Sequence, residues 1–220
     1  MRAVVFDLDG TLIDSLPDMT ASANALLSQE GLPPLAKADV AGFVGFGVRV
    51  FMDRLIAATA LSTSDYDTLL ERFMALYVDA TDHTEVYPHV HQALADLSDA
   101  GFVLGICTNK PQAPMRSVLR AVGLDTVFDV AIAGDTLPQR KPDPMPLRRA
   151  FGELGAIQGL YVGDSIVDAQ TARSAGVPFA LFTEGIRVTP LGDVAHDASF
   201  DDFRALPAIC ERLCKPLSQD

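Results

Sequence analysis

The sequence predicts an α/β fold, a doubly wound parallel sheet with an inserted α-helical subdomain, and three observations support this. Short apolar runs without polar alternation recur along the chain, as in strands that are covered on both faces. Stretches with helical periodicity separate these runs, which is the element order of a doubly wound sheet. The segment between the first two runs is far longer than a crossover requires.

Taken in order, these patterns define the predicted elements. The strands are expected at residues 3–6, 103–107, 130–133, 160–162 and 179–182. The helices that follow the long segment are expected at residues 89–99, 111–122, 144–154 and 167–175. The long segment shows amphipathic helical patterning and no strand pattern, with prolines at its entry and exit. We therefore predict an α/β core domain at residues 1–15 and 88–220 and a helical cap domain at residues 16–87.

Composition narrows the class of protein. With 220 residues and 49% hydrophobic residues, the chain can form one large core and a smaller subdomain. The net charge of -12 disfavours nucleic acid as a partner. Three cysteines without zinc-site spacing predict reduced thiols and a cytoplasmic protein. The N-terminus runs directly into the first predicted strand and no apolar run reaches membrane-spanning length, so we expect neither a secretory leader nor a membrane partner.

Two acids follow the first predicted strand directly. Residues two apart on a strand share a face, so Asp7 and Asp9 can approach one ligand and hold a hard cation through oxygen. Open parallel sheets bind ligands at the carboxyl ends of their strands. Gly10 removes a side chain where backbone has to approach a neighbour closely. The alternative is that the acids only cap the start of a helix.

Polar residues also follow the other predicted strands. Thr108, Asn109 and Lys110 come after the second, and Lys141 follows the third after a short loop. Asp164 and Asp168 come after the fourth. Each is ordinary alone, since such residues often cap helices or face solvent. Their convergence on one edge of a parallel sheet predicts a functional site.

At this point the residues resemble a known family. The segments DLDGTL (7–12), TNK (108–110), KP (141–142) and GDSIVD (163–168) resemble, in order and spacing, the four motifs of the haloacid dehalogenase superfamily. The resemblance covers nearly the whole chain, including a helical cap inserted after the first motif. Within the superfamily the sequence looks most like the phosphoglycolate phosphatases.

The resemblance implies phosphate-ester hydrolysis. Asp7 would attack phosphorus as a covalent nucleophile, and Asp9 would act as general acid and then as general base. Mg²⁺ would be held by the carboxylates of Asp7 and Asp164 and by a backbone carbonyl, which the resemblance assigns to Asp9. Asp168 would either contact the water shell of the metal or brace Lys141.

The phosphate requires fixed donors for its charged oxygens. The expected donors are the Thr108 hydroxyl, the backbone N–H groups around Leu8 and Asn109, and the Lys141 ammonium. Lys110 is expected to face solvent, as most lysines do.

The predicted cap contains a loop that bears on the substrate. Gly45 and Gly47 precede a helix start, where backbone N–H groups can take an anion such as a carboxylate. The stretch resembles the cap loop of phosphoglycolate phosphatases, with Arg54 at the place of their arginine. Phe46 departs from the small polar residue expected between the glycines. The alternative is a simple turn with a surface arginine.

We therefore predict a Mg²⁺-dependent phosphatase that acts on a small phosphomonoester, with 2-phosphoglycolate as the first choice, in a monomer or homodimer. A phosphomutase of the β-phosphoglucomutase type and a pyrophosphatase are the enzymatic alternatives. A non-catalytic phosphate-binding regulatory protein is the alternative of another class. Such a protein would be expected to have lost Asp7, Asp9 or Lys141, and all three are present.

Overall fold

A computed structural model describes residues 1–62 and 65–216 of the chain. Its strands are β1 (Arg2–Phe6), β2 (Ile13–Asp14), β3 (Glu85–Val86), β4 (Phe102–Cys107), β5 (Val130–Ile132), β6 (Gln158–Gly163), β7 (Phe179–Phe182), β8 (Ala198–Phe200) and β9 (Lys215–Pro216). Its helices are α1 (Leu16–Gln29), α2 (Lys37–Ala41), α3 (Val48–Ala58), α4 (Tyr66–Tyr77), α5 (Val90–Asp99), α6 (Gln112–Ala121), α7 (Met145–Glu153), α8 (Ile166–Ala175) and α9 (Leu206–Leu213).

The main sheet places β1 at its centre. Its parallel strands lie in the order β5-β4-β1-β6-β7-β8, and β9 adds an antiparallel pairing to β6. Val4 and Phe6 face the core cluster that also contains residues of α5 and α6, whereas Ala3 and Val5 face the cluster with α7 and α8. Both faces of the strand are therefore buried, which explains its unbroken apolar run. The predicted doubly wound α/β fold is confirmed.

Four helices, α1 to α4, lie between the two short strands β2 and β3. They enclose a third hydrophobic cluster, whose largest fully buried side chains include Leu26, Leu27, Phe51 and Phe73. This helical region forms its own core, as an inserted subdomain requires. The exact domain limits at residues 16 and 87 stay a prediction.

The prediction that residues 16–87 contain no strand is wrong at one end. β3 pairs with β2 in a small antiparallel sheet, with Ile13 opposite Val86 and Asp14 opposite Glu85. A strand of two residues is too short to display an alternating pattern, so its sequence carries no signal. The pairing holds together the two chain segments that connect the helices to the main sheet.

The register of the main sheet determines where the site lies. Phe6 of β1 is opposite Ile106 of β4 and opposite Val162 of β6. The polar residues that follow these three strands consequently meet at one edge of the sheet. Within the described residues, no helix is both long enough and apolar enough to cross a membrane.

Candidate active site

Asp7 lies at the end of β1 in a buried network of charges. Lys141 Nζ is 2.9 Å from Asp7 Oδ1 and 2.7 Å from Asp168 Oδ1. It also donates a hydrogen bond of 2.9 Å to the hydroxyl of Tyr161, a residue of β6. These side chains are almost completely shielded from solvent. Burial would lower the pKa of Lys141, but the adjacent carboxylates raise it above its usual range, so the ammonium stays charged.

The structure places Asp168 against Lys141. Its Oδ1 accepts hydrogen bonds from Lys141 Nζ and, at 2.8 Å, from the Tyr161 hydroxyl. Its Oδ2 accepts from the backbone N–H and the hydroxyl of Ser165, at 3.1 and 2.6 Å. The bond from the Ser165 backbone N–H, together with a bond of 3.3 Å from the Asp168 backbone N–H to Ser165 Oγ, forms a capping box at the start of α8. Of the two roles left open by the sequence, this geometry favours the brace for Lys141.

Asp7, Asp164 and Asp168 form a cluster in which each residue places one carboxylate oxygen within 4.8 Å of the other two. Burial is the main cause that raises the pKa of Asp7 to about 7, and it also raises the pKa of Asp164. Within residues 1–62 and 65–216, Asp7 Oδ1 is the buried side-chain oxygen without a hydrogen bond, because the approach of Lys141 lacks hydrogen-bond geometry. Buried carboxylate oxygens, with Asp7 Oδ1 lacking a hydrogen bond, fit a hard divalent cation.

The backbone leaves space for this cluster at Gly10. Gly10 has φ of +84°, and a Cβ added there would collide with Asp164 Oδ2. Thr11, the next residue, donates a hydrogen bond of 3.1 Å to Asp164 Oδ1. The close approach that the sequence predicted for Gly10 is therefore made to Asp164.

Asp9 is held by a partner that the sequence did not identify. Its Oδ1 accepts hydrogen bonds from Ser15 Oγ at 2.5 Å and from Lys110 Nζ at 2.9 Å. The prediction that Lys110 faces solvent is wrong, since its side chain is only 3% exposed. Lys110 also donates a hydrogen bond to the hydroxyl of Tyr77 on α4. The prediction relied on the usual exposure of lysines. It failed because Asp9 and Tyr77, the partners of the Lys110 ammonium, are distant in sequence.

The residues after β4 line the same site. Thr108 is buried, and its hydroxyl accepts a hydrogen bond of 3.2 Å from the Lys110 backbone N–H. The Asn109 side chain accepts from the Lys141 backbone N–H at 3.0 Å and donates to the Lys141 carbonyl at 3.0 Å. Its amide also donates to the Gly45 carbonyl at 2.9 Å. Asn109 thus connects the loop that contains Lys141 to the loop of the helical region that contains Gly45.

Leu8, between the two acids, is completely buried. Its carbonyl accepts hydrogen bonds from the backbone N–H groups of Thr11, Leu12 and Ile13. This tight turn fixes the backbone positions of Asp7 and Asp9.

The glycine loop of the helical region lies over the acids. Gly45 and Gly47 have φ of +102° and +88°, and α3 begins directly after them. The Arg54 guanidinium lies 4.5 Å from the centre of the Phe46 ring and donates a hydrogen bond of 2.6 Å to the Gly42 carbonyl. The Phe46 ring therefore packs against the Arg54 guanidinium, which explains an aromatic residue between the two glycines.

Two openings that share Asp7, Asp9 and Gly45 in their lining reach the acids. An open cavity of about 440 Å³ is lined by Asp7, Asp9 and Thr108 on one side and by Phe51 and Tyr77 on the other. A neighbouring cavity of about 450 Å³ contains the same two acids and is lined also by Asp164, Arg54 and Arg187. The structure thus brings every sequence-predicted site residue to one region of the molecule.

Sequence reasoning missed Tyr161 and Tyr77. In the sequence, Tyr161 matches the apolar pattern of strand β6, and Tyr77 matches the apolar face of helix α4. The contacts of their hydroxyls become visible only in the fold, which brings Lys141 to Tyr161 and Lys110 to Tyr77. Neither residue carried a signal in the sequence alone.

An α/β sheet with an acid at the end of its central strand, beside a buried lysine and a cluster of carboxylates, fits a hydrolase. The chain matches the haloacid dehalogenase-like hydrolases over residues 4–182, and it belongs to this family. It is 46% identical over 217 residues to a phosphoglycolate phosphatase of Cereibacter sphaeroides, covering 97% of this chain and 99% of that protein. It is 44% identical to a phosphoglycolate phosphatase of Rhodospirillum rubrum, covering 93% and 89% of the two chains.

A solved structure supports the same family. A predicted phosphoglycolate phosphatase from Haemophilus somnus has a TM-score of 0.90 and 32% sequence identity to this chain. The match covers 95% of this chain and 97% of the other. The similarity therefore includes the helical region as well as the sheet.

Proposed function

We propose that this chain is a Mg²⁺-dependent phosphatase that hydrolyses 2-phosphoglycolate to glycolate and inorganic phosphate. The observation that carries the proposal is the arrangement of Asp7 and Asp9 at the end of the central strand, with Lys141 buried against Asp7. The relatives named phosphoglycolate phosphatase, at 44–46% identity over nearly the full chain, support the choice of substrate.

In the first step, Asp7 attacks phosphorus and forms an aspartyl phosphate while the bond from phosphorus to the glycolate oxygen breaks. The Asp9 carboxyl donates its proton to that oxygen, so that glycolate leaves as the alcohol. In the second step, Asp9 takes a proton from water as the water oxygen bonds to phosphorus. The bond from Asp7 to phosphorus breaks, which releases phosphate and restores the carboxylate.

Fixed positive charge supports both steps. Lys141 is charged and held by Asp168 and Tyr161, so it can contact phosphoryl oxygens without reorganisation. Thr108 and the backbone N–H groups of Leu8 and Asn109 are the proposed further donors. Mg²⁺, when held by the carboxylates of Asp7 and Asp164 and the Asp9 carbonyl, supplies charge neutralisation between the nucleophile and the phosphate.

The helical region, residues 16–87, is proposed to act as a cap that excludes water and selects the leaving group. A guanidinium has five N–H donors, and the bond to the Gly42 carbonyl uses one side of Arg54. We assign the remaining donors, with the N–H groups after Gly45 and Gly47, to the substrate carboxylate. The cytoplasmic location and the monomeric or homodimeric state stay predictions.

The test is phosphate release from 2-phosphoglycolate, β-glucose 1-phosphate, pyrophosphate and p-nitrophenyl phosphate, with Mg²⁺ and with EDTA. We expect Mg²⁺-dependent turnover with a clear preference for 2-phosphoglycolate, and loss of turnover in Asp7→Asn. Asp202→Asn, at a partly exposed acid that pairs with Arg204 after β8, is the control that should retain turnover. Turnover that survives Asp7→Asn would reject the covalent mechanism, whereas Asp7-dependent turnover without the preference would reject the substrate.

Arg54→Met tests the carboxylate site separately. It should raise the KM for 2-phosphoglycolate far more than the KM for p-nitrophenyl phosphate, which lacks a carboxylate. Arg49→Met is the matched control, since Arg49 is an exposed arginine of the same helix that pairs with Asp67. An equal change in KM for both substrates would contradict the assignment of Arg54.

A further inference from the structure

Lys110 joins an acid of the sheet edge to a helix of the helical region. Its ammonium is 2.9 Å from Asp9 Oδ1 and donates to the hydroxyl of Tyr77, whose ring centre is 4.6 Å away. Tyr77 is the last residue of α4 and is 4% exposed. Lys110 therefore lies at the boundary between the two parts of the molecule and contacts both.

The partners of Lys110 meet the requirements of a buried ammonium. Burial by itself would lower the pKa of Lys110, but Asp9 and Tyr77 raise it above its usual range. Burial raises the pKa of Tyr77 to about 12, so its hydroxyl stays protonated and accepts the hydrogen bond from Lys110. Losing either partner leaves the charge less well compensated in a buried environment.

Tyr77 is not an isolated contact of the helical region. Its ring stacks on Phe73, with 5.4 Å between ring centres, and Phe73 stacks on Phe51 at 5.1 Å. Phe51 in turn packs edge-on against Phe43, at 5.8 Å. Phe43 lies just before the loop that contains Gly45. The Tyr77 ring is thus part of a continuous aromatic row with Phe73, Phe51 and Phe43 in the helical core.

Asn109, the neighbour of Lys110, makes a parallel connection. Its side chain binds the Lys141 backbone on the sheet side and the Gly45 carbonyl on the helical side. Two consecutive residues after β4 therefore each contact one catalytic element and one element of the helical region. This juxtaposition is formed only when the helical region rests on the sheet edge.

We propose that Lys110 is a positioning residue that holds Asp9 for proton transfer and, through Tyr77, makes this position depend on the closed cap. The inference rests on the proposed function. Among residues 1–62 and 65–216, hydrogen-bond donors reach Asp9 only at Oδ1, from Ser15 and Lys110. Oδ2 is the oxygen that carries the proton to the leaving group. Opening of the cap removes Tyr77 from Lys110 and loosens the acid.

The dependence of the reaction on the leaving group distinguishes this role from a structural one. Phenyl phosphate and p-nitrophenyl phosphate have similar shapes, but phenolate is the poorer leaving group and requires a proton more. The ratio kcat/KM reports the steps up to cleavage of the ester bond. A variant with a misplaced Asp9 should therefore lose kcat/KM mainly on phenyl phosphate.

The variants are Lys110→Met and Tyr77→Phe, with Lys37→Met and Tyr66→Phe as matched controls. Lys37 is an exposed lysine paired with Asp14. Tyr66 is a partly buried tyrosine at the other end of α4, and its hydroxyl donates a hydrogen bond to the Arg49 carbonyl. We expect Lys110→Met to lower kcat/KM on the order of 100-fold on phenyl phosphate, within the range of general acid catalysis, and far less on p-nitrophenyl phosphate. Tyr77→Phe keeps the ring and the ion pair, so it should show the same selective loss with a smaller size. The controls should resemble wild type.

Three results would overturn the inference. An equal loss on both aryl phosphates would assign Lys110 to phosphate binding or to the fold. A loss confined to 2-phosphoglycolate, with both aryl phosphates unaffected, would assign it to the substrate carboxylate. A Tyr77→Phe variant identical to wild type would remove the link to the cap. Absence of Asp7-dependent turnover in wild type would instead overturn the proposed function, before any of these variants is compared.

Discussion

Gly10 shows how a single residue without a side chain shapes the site. Its φ of +84° already disfavours a side chain, and an added Cβ would collide with Asp164 Oδ2. We expect Gly10→Ala to displace Asp164 and to lower kcat/KM on the order of 100-fold, because displacements near 1 Å can have this effect. Steady-state kinetics with saturating Mg²⁺ measures the loss.

Gly31→Ala is the matched control for this substitution. Gly31 has φ of +69°, and an added Cβ there meets no atom within 4 Å. Both variants bear the strain of a left-handed backbone, of roughly 1 kcal/mol, but only Gly10→Ala meets Asp164. Equal kcat/KM values for the two variants would show that the collision has no effect on the chemistry.

At this scale, the sequence predicts residues whose position is fixed by a local pattern. Asp7 and Asp9 follow directly from a strand end, and the structure brings them together with Lys141. Lys110 was placed wrongly, because its burial depends on Tyr77, which is 33 positions away along the chain. The role of Asp168 could not be decided, since Lys141 and Tyr161 come to it only through the fold.

The helical elements carry an aromatic core of their own. Phe73 is completely buried among the helices, between the rings of Phe51 and Tyr77. Phe73→Ala should lower the free energy of unfolding of this region by about 3–5 kcal/mol. If the helices form a separate cooperative unit, hydrogen exchange should accelerate in α1, α3 and α4 and remain slow in β1, β4 and β6.

Phe151→Ala is the matched substitution in the hydrophobic cluster of the main sheet. Phe151 lies on α7 and packs against the sheet, with 4% of its surface exposed. It should accelerate exchange in the strands that Phe73→Ala leaves protected. Identical exchange patterns in the two variants would contradict the division into a core domain and a cap domain.

The elements also show where sequence patterns stop being informative. Strands β1, β4, β6 and β7 were predicted because their apolar runs are buried on both faces of a central sheet. β2 and β3 have two residues each, and β8 is an edge strand of three residues. β2 and β3 are too short for a local pattern to indicate them, and β8 contains Ser199 within its three residues. β5 is as short as β8, but it was predicted because residues 130–133 form an unbroken apolar run.

For the molecule as a whole, we expect the buried acids to couple the stability of the fold to a bound cation. Asp7 and Asp164 are buried close together, which is unfavourable when both are charged. A ligand present at 100 times its Kd stabilises the fold by about 2.7 kcal/mol. Addition of Mg²⁺ should therefore raise the Tm of wild type, and EDTA should reverse this increase.

Asp164→Asn provides the contrast in the same measurement. It keeps the side-chain size and the bond from Thr11, and it removes one buried charge. Without Mg²⁺, the variant should be at least as stable as wild type, and Mg²⁺ should barely change its Tm. The surface variant Asp202→Asn should retain the full Mg²⁺ response. A Tm of Asp164→Asn that rises with Mg²⁺ as much as that of wild type would place the cation elsewhere.

The most direct test of covalent catalysis by Asp7 is a rapid-mixing experiment with the Asp9→Asn variant and p-nitrophenyl phosphate. This leaving group departs without a proton, whereas hydrolysis of the aspartyl phosphate requires Asp9 as the base. We predict a burst of about one p-nitrophenolate per enzyme, followed by slow release, with a phosphoryl group on the acid-quenched peptide that contains Asp7. Linear release without a burst, and without phosphorylation of Asp7, while wild type turns the substrate over, would contradict the proposed mechanism.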